Sequence, residues 1–549
     1  MTATATATVT VTGPETLPRR TVGEWTLTTT AVYAEPFTDV TVEATFTGPD
    51  GATVRVPGFY DGAGTWKVRF NPGAAGAWRY AITSRPANAD LRASGTLTVT
   101  EREARGFLHA TPGRAWGWHW EDDTPAFVFG DTVYNLFGFA HEGADVEPFL
   151  RRRAAQGFNL LRVRVPVSPF HPPDGYSAWQ TRRTWAWGGS EQAPRFDRFD
   201  LGWFATVDHV VQLAEEIGIG LEIIMEGWGF EFPFNHRAWF TAEWEELWMR
   251  YLIARYDAYN ATLVWTPLNE YEYYPNGDWN YTKTADQWAL RVARWIKATA
   301  GHGHPVAMHN GPRLPPFARR FAADPDAVDA IMYQEWGTRD EADGWLAAGI
   351  EEKIRAAFVG WGGAAVFAEW GYEREPAYDL LMPSHEHCDA DHTRRGAWRG
   401  AMCGMGLIHG FEHTWGPWMD LDTDQPGLEH LLHLRRFFTE VAPFADLKPA
   451  PQVLVAPPQP YAPGHAPAAL KSDNDWSLAV YLPVGGVVSL ALPDATQPVA
   501  QWFDPRTGAL HAAEPESGDD PARYVAPIPG DGGGDRPDDW VLVFGGAGA

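Results

Sequence analysis

Two apolar runs in this chain end on acids. "VWTPLNEY" (264–271) passes from strand-like residues into Asn269 and Glu270, and "AVFAEWG" (365–371) does the same at Glu369. A carboxylate that closes a buried run is costly to desolvate unless something there uses its charge. Two carboxyl groups facing each other suit cleavage of a glycosidic bond. One protonates the leaving oxygen, and the other attacks or stabilises the oxocarbenium-like centre. A separation of about 5–5.5 Å goes with retained configuration and roughly 6.5–9.5 Å with inversion. Taken singly, either glutamate reads better as a solvated acid at a strand end, so the elements that carry them decide the question.

Those elements alternate. From about 105 to 446, apolar strand-like runs at 126–132, 159–167, 220–228, 261–270, 305–310, 330–336, 364–371 and 410–418 are separated by helix-period segments. In 201–217, for example, Leu201, Phe204, Val207, Val210, Ala214 and Ile217 recur at three and four. Strands apolar on both faces belong in a parallel sheet covered by helices. Eight such units predict the α/β class and a (β/α)8 TIM barrel, with an open doubly wound sheet as the alternative; no Gly-rich phosphate loop follows the first strand. In a ring of eight, the fourth and seventh strands lie across from each other. Barrel chemistry sits at the C-terminal strand ends. Those ends supply Asp131, Arg162, Arg164, Glu226, Trp228, Asn269, Glu270, His309, Asn310, Tyr333, Gln334, Glu335, Trp336, Glu369, Trp370, Trp415 and Trp418. Carboxylates, amides and indoles at one rim suit a sugar better than a phosphate or a hydride donor.

The flanks read differently. Residues 1–104 alternate apolar and polar positions between Pro-Asp-Gly and Asp-Gly turns, which predicts an N-terminal β-sandwich. Residues 447–549 return to short strands among Pro and Gly and predict a second small β domain. A chain of 549 residues needs several such cores, and its 28 tryptophans exceed what cores usually require. A net charge of −26, with no basic tract, argues against nucleic acid. Two cysteines build no disulfide framework. The N-terminus has neither a basic region nor an apolar core of a signal peptide, and no run is long enough to span a membrane; the expectation is a cytoplasmic protein.

Asn-Glu closing strand four with a lone Glu closing strand seven resembles glycoside hydrolase clan A, a group of retaining (β/α)8 glycosidases. The resemblance covers the middle domain. It implies that Glu270 is the acid/base, Glu369 the nucleophile and Asn269 a partner of the sugar 2-hydroxyl. It also implies that Arg164 keeps the nucleophile ionised, that the Tyr333 hydroxyl reaches Glu369, and that Trp415 floors the sugar subsite. Asp131, Trp228, His309, Glu335, Trp336 and Trp370 complete the expected substrate-binding set. The N-terminal module is similar to a β-sandwich of unknown function that precedes many such barrels. The C-terminal one resembles a domain named for collagen binding that recurs behind apiosidase-like barrels, read here as a packing partner of the barrel. With glutamates at both acid positions, the resemblance carries no implication of a pentose such as apiose.

The expected partner is an oligosaccharide or glycoside, and hydrolysis needs no cofactor. Long aromatic loops after strands two, three and four would wall a pocket, which favours exo cleavage of a terminal unit; endo cleavage is the alternative. A carbohydrate-binding protein on an inactive barrel is another. "SHEHCDADH" (384–392) collects metal-ligand types, but its spacing matches no zinc pattern, so no metal is expected. No feature of the sequence sets the number of subunits.

Overall fold

The computed structural model of the chain describes residues 11–113, 116–166, 185–278, 280–311, 315–335, 349–373, 388–411, 421–462, 464–473, 477–492, 499–516, 521–527 and 538–545. Eight parallel strands form its centre: β1 (Phe129–Thr132), β2 (Leu160–Arg164), β3 (Gly220–Ile224), β4 (Thr262–Thr266), β5 (Ala307–His309), β6 (Ala330–Gln334), β7 (Ala364–Glu369) and β8 (Gly406–His409). The ladder runs β4-β3-β2-β1-β8-β7-β6-β5, and a parallel bridge between Trp265 and Val306 joins its ends. The sheet is a closed barrel.

Strand parity separates two cores. Leu160, Val264, Ala307, Ala330, Val366 and Ile408 point inward and plug the barrel base with Trp118. Leu161, Val163, Ile223, Trp265, Ile331, Tyr333 and Phe367 point outward to the helices. Those helices are α1 (Glu147–Ala155), α2 (Leu201–Ile217), α3 (Ala242–Tyr256), α4 (Lys283–Thr299), α5 (Ile350–Ala357), α6 (Ala390–Ala401) and α7 (Pro426–Arg436). α2 spans the residues its periodicity predicts. Asp200 caps it by accepting from the Trp203 N–H at 2.9 Å, and Gly218 ends it in the left-handed region.

β8 is a correction. The aromatic run 410–418 was the expected eighth strand, but the ladder uses Gly406–His409 just before it. Gly406 matters there, since a Cβ would fall 2.8 Å from the Val128 Cβ. Residues 412–420, including Trp415 and Trp418, lie outside the described residues.

The N-terminal strands form two sheets, of four and five strands, around Trp25, Phe46, Trp66 and Phe70. The sandwich is fastened to the barrel by charge. Arg69 donates to Asp208 on α2 (2.8 Å), to Glu24 (2.9 Å) and to the Arg255 carbonyl (2.7 Å). Arg255 of α3 holds both oxygens of Asp208 and reaches Asp61 at 3.0 Å. Lys67 closes the group against Glu24 and Asp61. The C-terminal domain has a six-stranded sheet with two apolar faces. Leu478, Val480, Leu542 and Phe544 build its own core, while Ala479, Tyr481, Val541 and Val543 join the barrel's. Tyr481 stacks on Trp398 of α6 at 5.6 Å, and Arg394 pairs with the buried Asp539 at 2.9 Å. The domain does pack on the barrel, as expected. Among the described residues, no helix is long and apolar enough to cross a membrane.

Candidate active site

Glu369 is aimed into the barrel by an irregularity. Ala364, Val366 and Ala368 follow inward parity, so Glu369 should point out. A register shift between Tyr333 and Gln334 pairs Gln334 with Glu369 directly, and the local twist turns the carboxylate inward. There it is only 6 % exposed. Its Oε1 accepts from the Tyr134 hydroxyl at 2.7 Å and from Arg162 Nη1 at 2.8 Å, and lies 3.3 Å from His309 Nε2. Its Oε2 accepts from the Gln334 amide. Burial alone would raise the pKa of Glu369, but the charge of Arg162 and the donors on His309 and Tyr134 outweigh it. The carboxyl is held well below the usual range.

Glu270 sits beyond the end of β4 with φ 51° and ψ 61°, a left-handed conformation that non-glycine residues rarely take. This turn starts the short 3-10 helix Tyr271–Tyr273 and leaves Glu270 half-buried at the mouth. Its N–H donates to His309 Nδ1 at 3.2 Å. That bond fixes the proton of the neutral imidazole on Nε2, toward Glu369. His309 stays neutral, because burial and the charge of Arg162 lower it to about 4. Burial and then the charge of Glu369 push the Glu270 carboxyl well above its usual range, while Glu369 is held below it. Gln334 bonds the Glu369 side of the pair directly.

Below the pair lies Arg162, fully buried on β2. It bonds Glu369 and the Asn269 side-chain oxygen, and its Nε is 3.8 Å from Glu222. Glu222 in turn accepts from the Thr266 hydroxyl at 2.7 Å. Burial raises the Glu222 carboxyl despite the nearby Arg162. Two carboxyl groups thus flank one guanidinium, whose charge also acts on Glu270.

The structure sorts the expected residues. Asn269, Glu270, His309 and Glu369 come together at the mouth, with Trp228 on the rim beside Tyr134. Arg164 does not reach Glu369. It bonds Glu231 (3.0 Å) and Asn135 (3.2 Å) and covers the Trp228 ring at 3.9 Å, one layer above Arg162. Arg162 takes the place expected of Arg164, because a long guanidinium reaches up from the deeper position. Tyr333 does not reach Glu369 either; outward parity places it among Phe317, Phe358 and Phe367. Tyr134 and Gln334 supply the donors expected of it. Trp370 stacks on Phe367 and donates to the Thr393 carbonyl on the helix side. Asp131 also points outward, to Arg153 of α1 at 2.7 Å. Glu335 pairs with Lys353 of α5 at 2.8 Å. Trp336 and Trp415 lie outside the described residues. Of the 384–392 stretch, His392 and Asp389 form a capping box at the start of α6, and residues 384–387 lie outside the described ones. Among the described residues, no group of three His, Cys, Asp or Glu side chains is arranged to hold a metal ion.

Sequence reasoning missed Tyr134 and placed Gln334 at the rim without giving it a role. Tyr134 follows β1 by two residues without a strand pattern, and Gln334 is paired with Glu369 only by the register shift.

Residues 118–442, more than half of the chain, match the family described as "Apiosidase-like, catalytic domain". The chain belongs to that family. Around this apiosidase-like domain, residues 19–85 match a domain of unknown function, DUF5060. Residues 451–545 match the "Putative collagen-binding domain of a collagenase". No curated protein matches the chain. Among solved structures, it is similar to a "putative glycoside hydrolase" from Bacteroides vulgatus ATCC 8482, with TM-score 0.66, 17% identity, and coverage of 96% of this chain and 99% of that one. It is also similar to a glycoside hydrolase family 5 structure from the same organism, with TM-score 0.56, 16% identity, and coverage of 80% and 93%. These two likenesses establish a shared fold. The apiosidase-like chain is a glycosidase on a (β/α)8 barrel.

Proposed function

We propose that this apiosidase-like protein is a retaining glycosidase with Glu369 as nucleophile and Glu270 as acid/base. The observation that supports it is a buried Glu369 carboxylate held by Arg162, Tyr134 and Gln334, with Glu270 tied to the same cluster through His309 and pushed in the opposite direction by burial and by the charge of Glu369. Groups whose surroundings push their pKa values apart divide into acid and base by that difference. In the first step the Glu369 carboxylate attacks the anomeric carbon, the glycosidic C–O bond breaks, and the leaving oxygen takes the Glu270 proton. In the second, Glu270 removes a proton from water, whose oxygen attacks the same carbon and displaces Glu369. Arg162, Tyr134 and His309 hold Glu369 ionised and oriented. Asn269, whose oxygen is engaged by Arg162, turns its amide hydrogens to the sugar.

The proposal extends to exo cleavage of a terminal unit, motivated by the aromatic loops after β2, β3 and β4. It also extends to domain boundaries near 104 and 446. Release of nitrophenol from a panel of α- and β-glycosides tests the core of the reading. Wild type is expected to act on at least one glycoside and Glu369→Gln on none; equal activity of the two excludes Glu369 as nucleophile. For exo action, a reduced oligosaccharide should lose terminal units first, and early internal products would refute it.

A further inference from the structure

Aromatic rings run along one side of the mouth from one acid to the other. Tyr134, bonded to Glu369, meets Trp228 edge-on at 5.2 Å; Trp228 lies nearly parallel to Phe230 at 5.4 Å and 14°; Phe230 meets Tyr273 edge-on at 5.2 Å and 74°. Tyr273 ends the series at Glu270, in the 3-10 turn that Glu270 caps. Gly229 lets the last two rings close, since a Cβ there would fall 2.6 Å from the Tyr273 Cβ.

The four rings are not equivalent. Tyr134 and Trp228 are buried, and Arg164 covers a face of Trp228. Phe230 and Tyr273 are half-exposed, and their planes form a corner of floor and wall. A general acid delivers its proton to the leaving oxygen, so the groups flanking Glu270 meet the leaving group. Burial and the charges of Glu270 and Glu272 push the Tyr273 hydroxyl above its usual range, which keeps it a donor.

We propose that Phe230 and Tyr273 form the leaving-group subsite and select a cyclic leaving group, a sugar unit seated with its C–H face on the corner. This rests on the role given to Glu270 above. Trp228, expected from sequence to contact sugar, is instead the backing ring that holds Phe230 in place.

The test compares two glycosides of the sugar that wild type hydrolyses, one with a phenyl and one with a fluoroalkyl leaving group of similar acidity. The readout is the ratio of their kcat/KM values, with a disaccharide of the same glycone as the natural counterpart. Phe230→Ala and Tyr273→Ala are expected to lower the ring preference about tenfold, the scale of one lost ring contact. Phe230→Tyr and Tyr273→Phe, which keep the rings, should restore most of it. An unchanged ratio, or both rates falling in step, would overturn the subsite. Activity surviving in Glu369→Gln contradicts the mechanism instead, so the two ideas fail separately.

Discussion

Two buried charge clusters in this protein use the same side chains to opposite ends. Where the sandwich meets the barrel, three cations (Lys67, Arg69, Arg255) face three carboxylates (Glu24, Asp61, Asp208). Every charge there has an opposite neighbour, and Asp208 is held below its usual range by Arg69 and Arg255 against burial. At the barrel mouth Arg162 lies against Glu222 and Glu369, and its charge also acts on Glu270. Among the described residues that one guanidinium does not compensate all three. Arg162, with Tyr134 and His309, settles on Glu369, and Glu270 resolves the excess by keeping a proton. A balanced cluster fastens two domains; an unbalanced one stores a proton beside a carboxylate, which is what acid-assisted displacement requires.

The largest effect is expected at Glu369. Glu369→Gln should lower kcat by at least on the order of 10⁴-fold, the scale of losing a nucleophile. A loss under tenfold would show that the imbalance serves no covalent step. Next comes Glu270→Gln, expected to cost about 10²–10⁴-fold on poor leaving groups and to remove the alkaline limb of the pH profile. In wild type that limb lies above the ordinary glutamate range, since Glu270 is raised, and the acid limb lies below it, since Glu369 is lowered.

Glu270→Gln also carries a stability signature. The raised acid contributes fully below its unfolded pKa, and that contribution is lost as pH rises to the folded pKa. The variant should therefore match wild type below about pH 4.5 and become progressively more stable than it above, as read by denaturant midpoints. A difference that shrinks with pH would contradict the assignment.

The balanced cluster predicts the reverse pattern. Asp208→Ala should cost about 3–5 kcal/mol of stability, because it strands two buried guanidinium groups, while kcat of the folded enzyme stays the same. A large kcat loss would mean that the two clusters communicate. The smallest effects separate two tyrosines. Tyr134→Phe removes a donor to a charged oxygen and should cost about 10–100-fold in kcat/KM. Tyr333→Phe should change it less than about twofold, because that hydroxyl lies on the helix side of β6 and forms no part of the site.

How much of this was legible in the sequence follows from parity and reach. The barrel was visible because buried parallel strands are apolar on both faces, and the acids because they interrupt that pattern. β8 was misplaced because four residues between glycines leave little pattern, while the following aromatic run imitates a strand. Arg164 was preferred over Arg162 because it is nearer the tip. Yet both arginines share one face of an apolar strand, and side-chain length lets the deeper one reach. Asp131, Tyr333 and Trp370 were assigned by position along a strand without regard to face, and face decides. The inward turn of Glu369 depends on a register shift between two chain segments 35 residues apart, from Gln334 to Glu369, which no local pattern encodes.

The central claim is a covalent bond between Glu369 and the sugar. Incubation with a 2-deoxy-2-fluoro glycoside of the hydrolysed sugar, followed by proteolysis and mass spectrometry, tests it directly. One glycosyl mass is expected on the peptide carrying Glu369 and none in Glu369→Gln. A label on Glu270 would reverse the roles, and turnover with no labelled peptide would contradict the retaining mechanism.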